Sequence, residues 1–411
     1  GNPFSWHYVR TDADCLTARV DINIILDKLI NRLAVMASAL LFALVGGVGA
    51  TLALAATSYA PVMPLAPRSL LLDLSLAGKR VLVAGEYGHI LYSDDRGESW
   101  QQSRVPTTQM LTGIYFADEN RGWAVGHDGL ILVSDDGGLN WRVQRDGLAA
   151  QQQTNLELRE QAHADIARLE RLLADNTGLP DDEREELELA LEDARFDLED
   201  ADLALEEDVF TSPLMDVWFI DAQRGWAVGA FGAFLTTRNG GKTWTSVADQ
   251  IENPDEFHLN AITGDSQGRV FIAGEGGIMY RSLDGGDSWE TLEPFYEGSW
   301  FGTVHSERSD ILLVFGLRGT LYRSNDFGDS WEAVIDDNQV TLAGGAAGES
   351  GRVVLVGGVG TLLISDNGGE SFRLARLEDR LSLVTALFAG DRLVLAGQGG
   401  VKIREVDDLY E

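Results

Sequence analysis

Ser93-Asp94-Asp95-Arg96-Gly97-Glu98-Ser99-Trp100 is the first copy of a phrase that recurs along this chain. It returns as Ser134-Asp-Asp-Gly-Gly-Leu-Asn-Trp141, Thr237-Arg-Asn-Gly-Gly-Lys-Thr-Trp244 and Ser282-Leu-Asp-Gly-Gly-Asp-Ser-Trp289. Ser324-Asn-Asp-Phe-Gly-Asp-Ser-Trp331 and Ser365-Asp-Asn-Gly-Gly-Glu-Ser-Phe372 complete the series. The terminal aromatics lie 41, 103, 45, 42 and 41 residues apart. Turn chemistry at a fixed offset with a period of about 40–45 residues is the mark of propeller blades. The long interval must hold an insertion.

Each phrase follows a short apolar strand such as Ile90-Leu-Tyr92 or Leu130-Ile-Leu-Val133. Its Asp or Asn accepts backbone N–H bonds, its Gly admits positive φ, and its indole has an apolar face to bury between units. The expected turn positions are Asp95, Asp136, Asn239, Asp284, Asp326 and Asn367, and the expected wedges are Trp100, Trp141, Trp244, Trp289, Trp331 and Phe372. A second hairpin signal precedes each phrase, strongest in Gly122-Trp-Ala-Val-Gly126 and Gly225-Trp-Ala-Val-Gly229. A seventh copy, Leu395-Ala-Gly-Gln-Gly-Gly400, stands in a last unit without a terminal phrase. The fold class is therefore all-β, a seven-bladed β-propeller, with the stretch before Ser69 expected to complete the seventh sheet.

Between Trp141 and Met215 the period changes. Leu158, Ala162, Ile166, Leu169 and Leu173 form one helical stripe, and Leu187, Leu191, Ala194, Leu198, Ala201 and Leu205 form a heptad seam. Gly178 and Pro180 separate them, which predicts an antiparallel helical hairpin of about 18–25 residues per helix. Four segments follow: residues 1–57, an N-terminal extension with a signal peptide or membrane anchor; 58–150, blades one and two; 151–208, the acidic hairpin; and 209–411, blades three to seven.

The chain has 411 residues, 65 acids and 32 bases, for a formal charge of −33. Residues 151–208 contain 20 acids and five arginines, so this segment supplies nearly half of the imbalance. A nucleic-acid partner wants the opposite sign and is disfavoured. The lone Cys15 excludes an intrachain disulfide and a thiolate zinc site. Residues 33–57 are apolar and uncharged, preceded by Lys28 and Arg32 and ending near Ala53-Leu-Ala55. That pattern predicts export across the cytoplasmic membrane to the periplasm, with the segment either cut as a signal or kept as an anchor.

No nucleophile elbow or phosphate loop stands in its structural context, and no metal or cofactor is expected. Glu86, Asp128 and Glu275 occupy equivalent turns and define the alternative, a glycoside hydrolase acting on an extracytoplasmic glycan. The candidate central arginines are few, Arg104 and Arg318, and His89 and His127 read as solvated turn residues. Strand order puts the insertion on the same face as the Gly-x-x-Gly turns and the phrases on the other. The face shared with the insertion carries the candidate partner-binding residues: Tyr87, His127, Asp128, Phe231, Glu275 and Arg318, with the loop residues Phe295, Tyr296 and Trp300.

Arg121-Gly-Trp-Ala-Val-Gly126 and Arg224-Gly-Trp-Ala-Val-Gly229, each followed by a Ser/Thr-x-Asp/Asn-x-Gly phrase, resemble the Ycf48/Hcf136 family of photosystem II stability and assembly factors. The resemblance runs from Leu70 to about Asp407, apart from the insertion. It implies an exported, non-enzymatic propeller that assists assembly of a membrane protein complex. The strong acidity and the added hairpin place the chain, by that resemblance, with non-photosynthetic bacterial relatives.

Overall fold

The computed structural model describes residues 58–306, 310–334 and 339–410; the apolar run 33–57 and Cys15 lie outside the described residues. Among the described residues there are seven antiparallel sheets, each built from strands consecutive in sequence. The first runs Leu71–Ala77, Arg80–Gly85, Ile90–Ser93 and Gln101–Gln102. Each sheet's first strand lies against the first strand of the next, and Leu383–Ala389 of the last lies against Leu71–Ala77. The sheets thus close a ring. The second strands Gly122–Gly126, Gly225–Gly229 and Leu312–Gly316 are buried at every position, because a neighbouring sheet covers each side. Their last glycine is obligatory. A Cβ on Gly229 would stand 2.2 Å from the Pro213 carbonyl oxygen, since the inner strand passes directly over it.

Seven apolar clusters fill the seven gaps between blades. Each terminal aromatic of a phrase turns toward the preceding blade. Trp141 packs with Leu82 and Ile90, Trp244 with Trp123 and Val133, and Trp331 with Phe271 and Met279. Trp123 and Phe219 stack at 3.5 Å between ring centroids across the gap between blades two and three. The gap between blades seven and one is filled in the same way, by Val394 and Ala396 against Leu71, Val81 and Val83.

That closure differs from the expectation of a shared strand. The last sheet has three strands, Leu383–Ala389, Arg392–Gly397 and Gly400–Glu405. The stretch before Ser69 turns as a short 3-10 element, Ala66–Arg68, against Gly400. A terminal helix, Val406–Tyr410, then buries Val406 between blades six and seven. Side-to-side burial joins the ends of the ring here.

The phrases are self-contained turns. In the first, the Asp95 carboxylate accepts the Ser99 N–H at 2.9 Å and the Ser93 hydroxyl at 2.7 Å, while Ser93 Oγ accepts the Gly97 N–H at 2.7 Å. These donors hold the Asp95 carboxyl down at about 2, the Ser99 hydroxyl being the largest cause. Asn239 and Asn367 make the same bonds with an amide, so no negative charge is required. The fourth and fifth positions are both left-handed, which the pair Gly137-Gly138 adopts without strain.

The insertion is an antiparallel pair: α1 (Gly147–Asp175) and α2 (Asp181–Glu206). α1 starts four residues before the expected boundary, capped by Asp146, whose carboxylate accepts the Ala149 N–H at 3.1 Å. At 29 and 26 residues the helices run about 40 Å, longer than the sequence pattern indicates. Polar residues without periodicity fill the extra turns, so a stripe of leucines alone misses them. Leu169, Leu191 and Ala194 form the hairpin's own core. Arg159–Asp202 at 2.7 Å and Arg195–Glu170 at 3.0 Å tie the helices together. Among the described residues no helix is long and apolar enough to cross a membrane.

Candidate protein-docking face

A backbone requirement builds this face. In the second hairpin of blades one to six the apical residue is left-handed: Tyr87 (φ 58°), Asp128 (57°), Phe231 (53°), Gly276 (64°), Arg318 (59°) and Val359 (56°). Such conformations in bulky and β-branched residues cost stability and persist where the surrounding structure imposes them. They lift Tyr87, Phe231 and Val359 into solvent, at 53, 51 and 45 % exposure. The insertion rises from the same side. Gly147, the first residue of α1, packs so closely on the Asp128 carbonyl that a Cβ would stand 2.1 Å from it.

Phe231 is the centre of the most developed patch. Its ring meets Phe210 edge-on at 6.0 Å and His258 edge-on at 4.9 Å. Phe210, 64 % exposed, lies in the irregular connection that returns from α2 to blade three. Glu275 borders the patch and accepts the His258 N–H at 3.3 Å, with the His258 ring nitrogen 3.9 Å away. An apolar surface with one carboxylate at its rim, rooted where the hairpin leaves the ring, suits contact with protein. Phe210 and His258 were missed by sequence reasoning. Phe210 is a lone aromatic in a polar linker and has no periodic signal.

Other expected residues are placed differently. Trp300 is fully buried, because it opens the inner strand Trp300–His305 of blade five and packs in the gap toward blade four. It belongs to the core. Phe295 folds back on it, with rings at 5.9 Å from Trp300 and 4.7 Å from Tyr322, and Tyr296 lies 4.8 Å from Trp300. The aromatic loop is thus largely a plug, with Phe295 keeping partial exposure. His127 and Arg318 are exposed on their turns, and Asp128 accepts a hydrogen bond from Gln109. His89 is buried rather than solvated; it hydrogen-bonds the Pro61 carbonyl oxygen at 3.2 Å, and burial lowers its pKa. Arg104 sits in an isolated bridge with Asn140 between blades one and two and stacks over Tyr59, so it is no central arginine.

The carboxylates of the hydrolase alternative are local acceptors. Glu86 takes the Leu70 N–H at 2.9 Å and Glu275 takes that of His258, each closing its own turn. Two other acids, half-buried on inner strands, tie neighbouring blades together. Every inner strand carries a bulge near its second residue, and the next positions are Asp73, Gly113, Asp216, Ala261, Gly302, Gly344 and Thr385. Asp73 accepts the Ile114 N–H of blade two at 2.8 Å, and Asp216 accepts the Ile262 N–H of blade four at 2.9 Å. Desolvation raises both pKa values, and the charge of Asp216 raises that of Asp73 further. Their bonds make them cross-blade clasps. Among the described residues no group of three or more His, Cys, Asp or Glu is arranged to hold a metal ion.

Comparison with known proteins identifies the family. The family model described as photosynthesis system II assembly factor YCF48 matches residues 92–165 and 199–356, more than half of the chain. The photosystem II assembly lipoprotein Ycf48 of Synechococcus sp. (strain CC9902) is 29 % identical over 191 residues, covering 46 % of this chain and 39 % of the relative. The photosystem II assembly protein Ycf48 of Synechococcus sp. (strain JA-3-3Ab) is 46 % identical over 48 residues, 11 % of this chain and 14 % of that protein. The chain thus spans less than half the length of these curated relatives. A solved structure described as YCF48 bound to D1 peptide superposes with a TM-score of 0.57 at 16 % identity, covering 85 % of this chain and 96 % of that one, and so supports the fold. With its repeats, its closed ring and a family match over more than half its length, the chain belongs to the photosystem II assembly factor YCF48 family.

Proposed function

We propose that this protein is an exported, non-enzymatic scaffold that assists assembly or stability of a membrane protein complex. It docks its partner through the apical face of the ring and the helical hairpin. The observation that carries the reading is the exposed Phe210–Phe231–His258 patch at the root of the hairpin. Family membership supports the assembly role, and the D1 peptide held by the solved YCF48 structure supports a protein ligand. The relative named as a lipoprotein supports export.

Affinity purification from solubilised membranes of the source cell tests this. Mass spectrometry is expected to identify one membrane protein that co-elutes with the full chain. That protein is lost from Phe210→Asp/Phe231→Asp and from a variant with 147–208 replaced by a short Gly/Ser loop. Unchanged capture by both variants overturns the reading. Glycan turnover abolished by Glu86→Gln, Asp128→Asn or Glu275→Gln installs the hydrolase in its place.

A further inference from the structure

The inner seam of the hairpin accounts for Leu187, Leu191, Ala194, Leu198 and Ala201. It leaves Leu189, Phe196 and Leu203 unexplained. These three are spaced by seven and are 56, 57 and 53 % exposed. At about 100° per residue they fall on one line of α2, roughly opposite the seam that packs on α1. Carboxylates border the line on both sides, Glu192 and Glu199 on one and Asp193 and Asp200 on the other. A groove of about 440 Å³ runs along the first side; Leu191 and Phe196 line it with Glu188, Glu192, Glu199 and Arg195. Arg195 is engaged by Glu170 of α1 at 3.0 Å, so the groove's remaining charge is acidic.

Single exposed apolar side chains are ordinary. Three large ones at a heptad interval, on a helix whose outer face is otherwise charged, form the half-seam that another helix completes. We propose that this ridge and groove bind a cationic amphipathic helix that carries a large apolar residue at heptad spacing, with Lys or Arg beside it. Charge selects this occupant. α2 alone holds 13 acids against two arginines, and a second copy of the hairpin would bring the same excess and be repelled. The inference rests on the reading of the hairpin as a docking arm and names the chemistry of what it docks.

The test titrates the full chain with a labelled synthetic peptide of about 21 residues, three heptads of Leu and Lys. One control keeps the composition and scrambles the Leu positions; the other replaces Lys by Glu. The heptad Leu/Lys peptide is expected to bind, the scrambled one about tenfold more weakly, and the Glu peptide not at all. Leu189→Ser/Phe196→Ser/Leu203→Ser, which changes no charge, is expected to lose about tenfold or more while its helical circular dichroism stays unchanged. Equal binding of the scrambled peptide, or full affinity in the triple variant, overturns the proposal. So does sedimentation showing that the chain dimerises through the ridge. A membrane protein lost on hairpin removal but kept by the triple variant refutes this inference alone. One kept by both refutes the docking-arm reading as well.

Discussion

The ring and the hairpin solve the burial problem in opposite ways. No blade buries its own faces: every apolar cluster in the ring is shared between two sheets, and the first sheet depends on the last, some 310 residues away in sequence. The hairpin packs two helices joined by a five-residue turn, and its small core of Leu169, Leu191 and Ala194 belongs to it alone. The blades of the closed ring therefore depend on one another, whereas the hairpin's core draws on no sheet. Acid can therefore accumulate on the hairpin, where nearly every charge is solvated.

The sharpest way to break this contrast is a pair of core truncations. Trp123→Ala removes the indole stacked on Phe219 across a blade gap and is expected to destabilise the whole ring by about 3–5 kcal/mol. Chemical denaturation followed by tryptophan fluorescence measures it. Leu191→Ser is expected to melt the hairpin alone, lowering helical circular dichroism while the fluorescence transition keeps its midpoint. If Leu191→Ser shifts the ring's midpoint as Trp123→Ala does, the two regions are one cooperative unit and the comparison fails.

Acidity sharpens it next. Asp73 and Asp216 have pKa values raised above the ordinary 3.8, chiefly by desolvation. A carboxyl group raised on folding holds its proton better in the native state, so its contribution is fully present below the unfolded pKa and is lost as pH rises through the folded one. The ring's melting temperature is expected to fall as pH rises from about 4 to about 8, with a flatter profile in Asp73→Asn. A wild-type profile as flat as the variant's would show that the clasp carboxyls ionise freely.

The smallest effect is expected at the turns. Asp95→Asn retains the acceptor that Asn239 and Asn367 already provide, so the denaturation midpoint is expected to stay unchanged. Asp95→Ala leaves the Ser99 N–H without its side-chain partner and is expected to lower the denaturation midpoint measurably. Equal losses in the two variants would mean that the charge, rather than the hydrogen bonds, holds the turn.

Much of the architecture was legible because its determinants are local and repeated. The turn phrases, the fully apolar second strands and the heptad stripe each state their geometry within a dozen residues, and repetition confirms them. The candidate face was legible only at its turns. Tyr87 and Phe231 are exposed because a tight hairpin forces its apex outward, which a Gly-x-x-Gly spacing already implies. Trp300 looked equally available, yet one residue of register at the start of an inner strand decides between solvent and core.

By itself the chain's sequence determined seven repeating units, their self-bonded turns and a separate acidic helical pair, since each follows from short-range periodicity and turn chemistry. Only the tertiary structure decided that the ring closes side to side, that Phe210 meets Phe231 and His258, and that Asp73 and Asp216 clasp neighbouring blades. Those outcomes depend on which distant segments share a boundary, and no local pattern encodes a boundary between residues far apart in the chain.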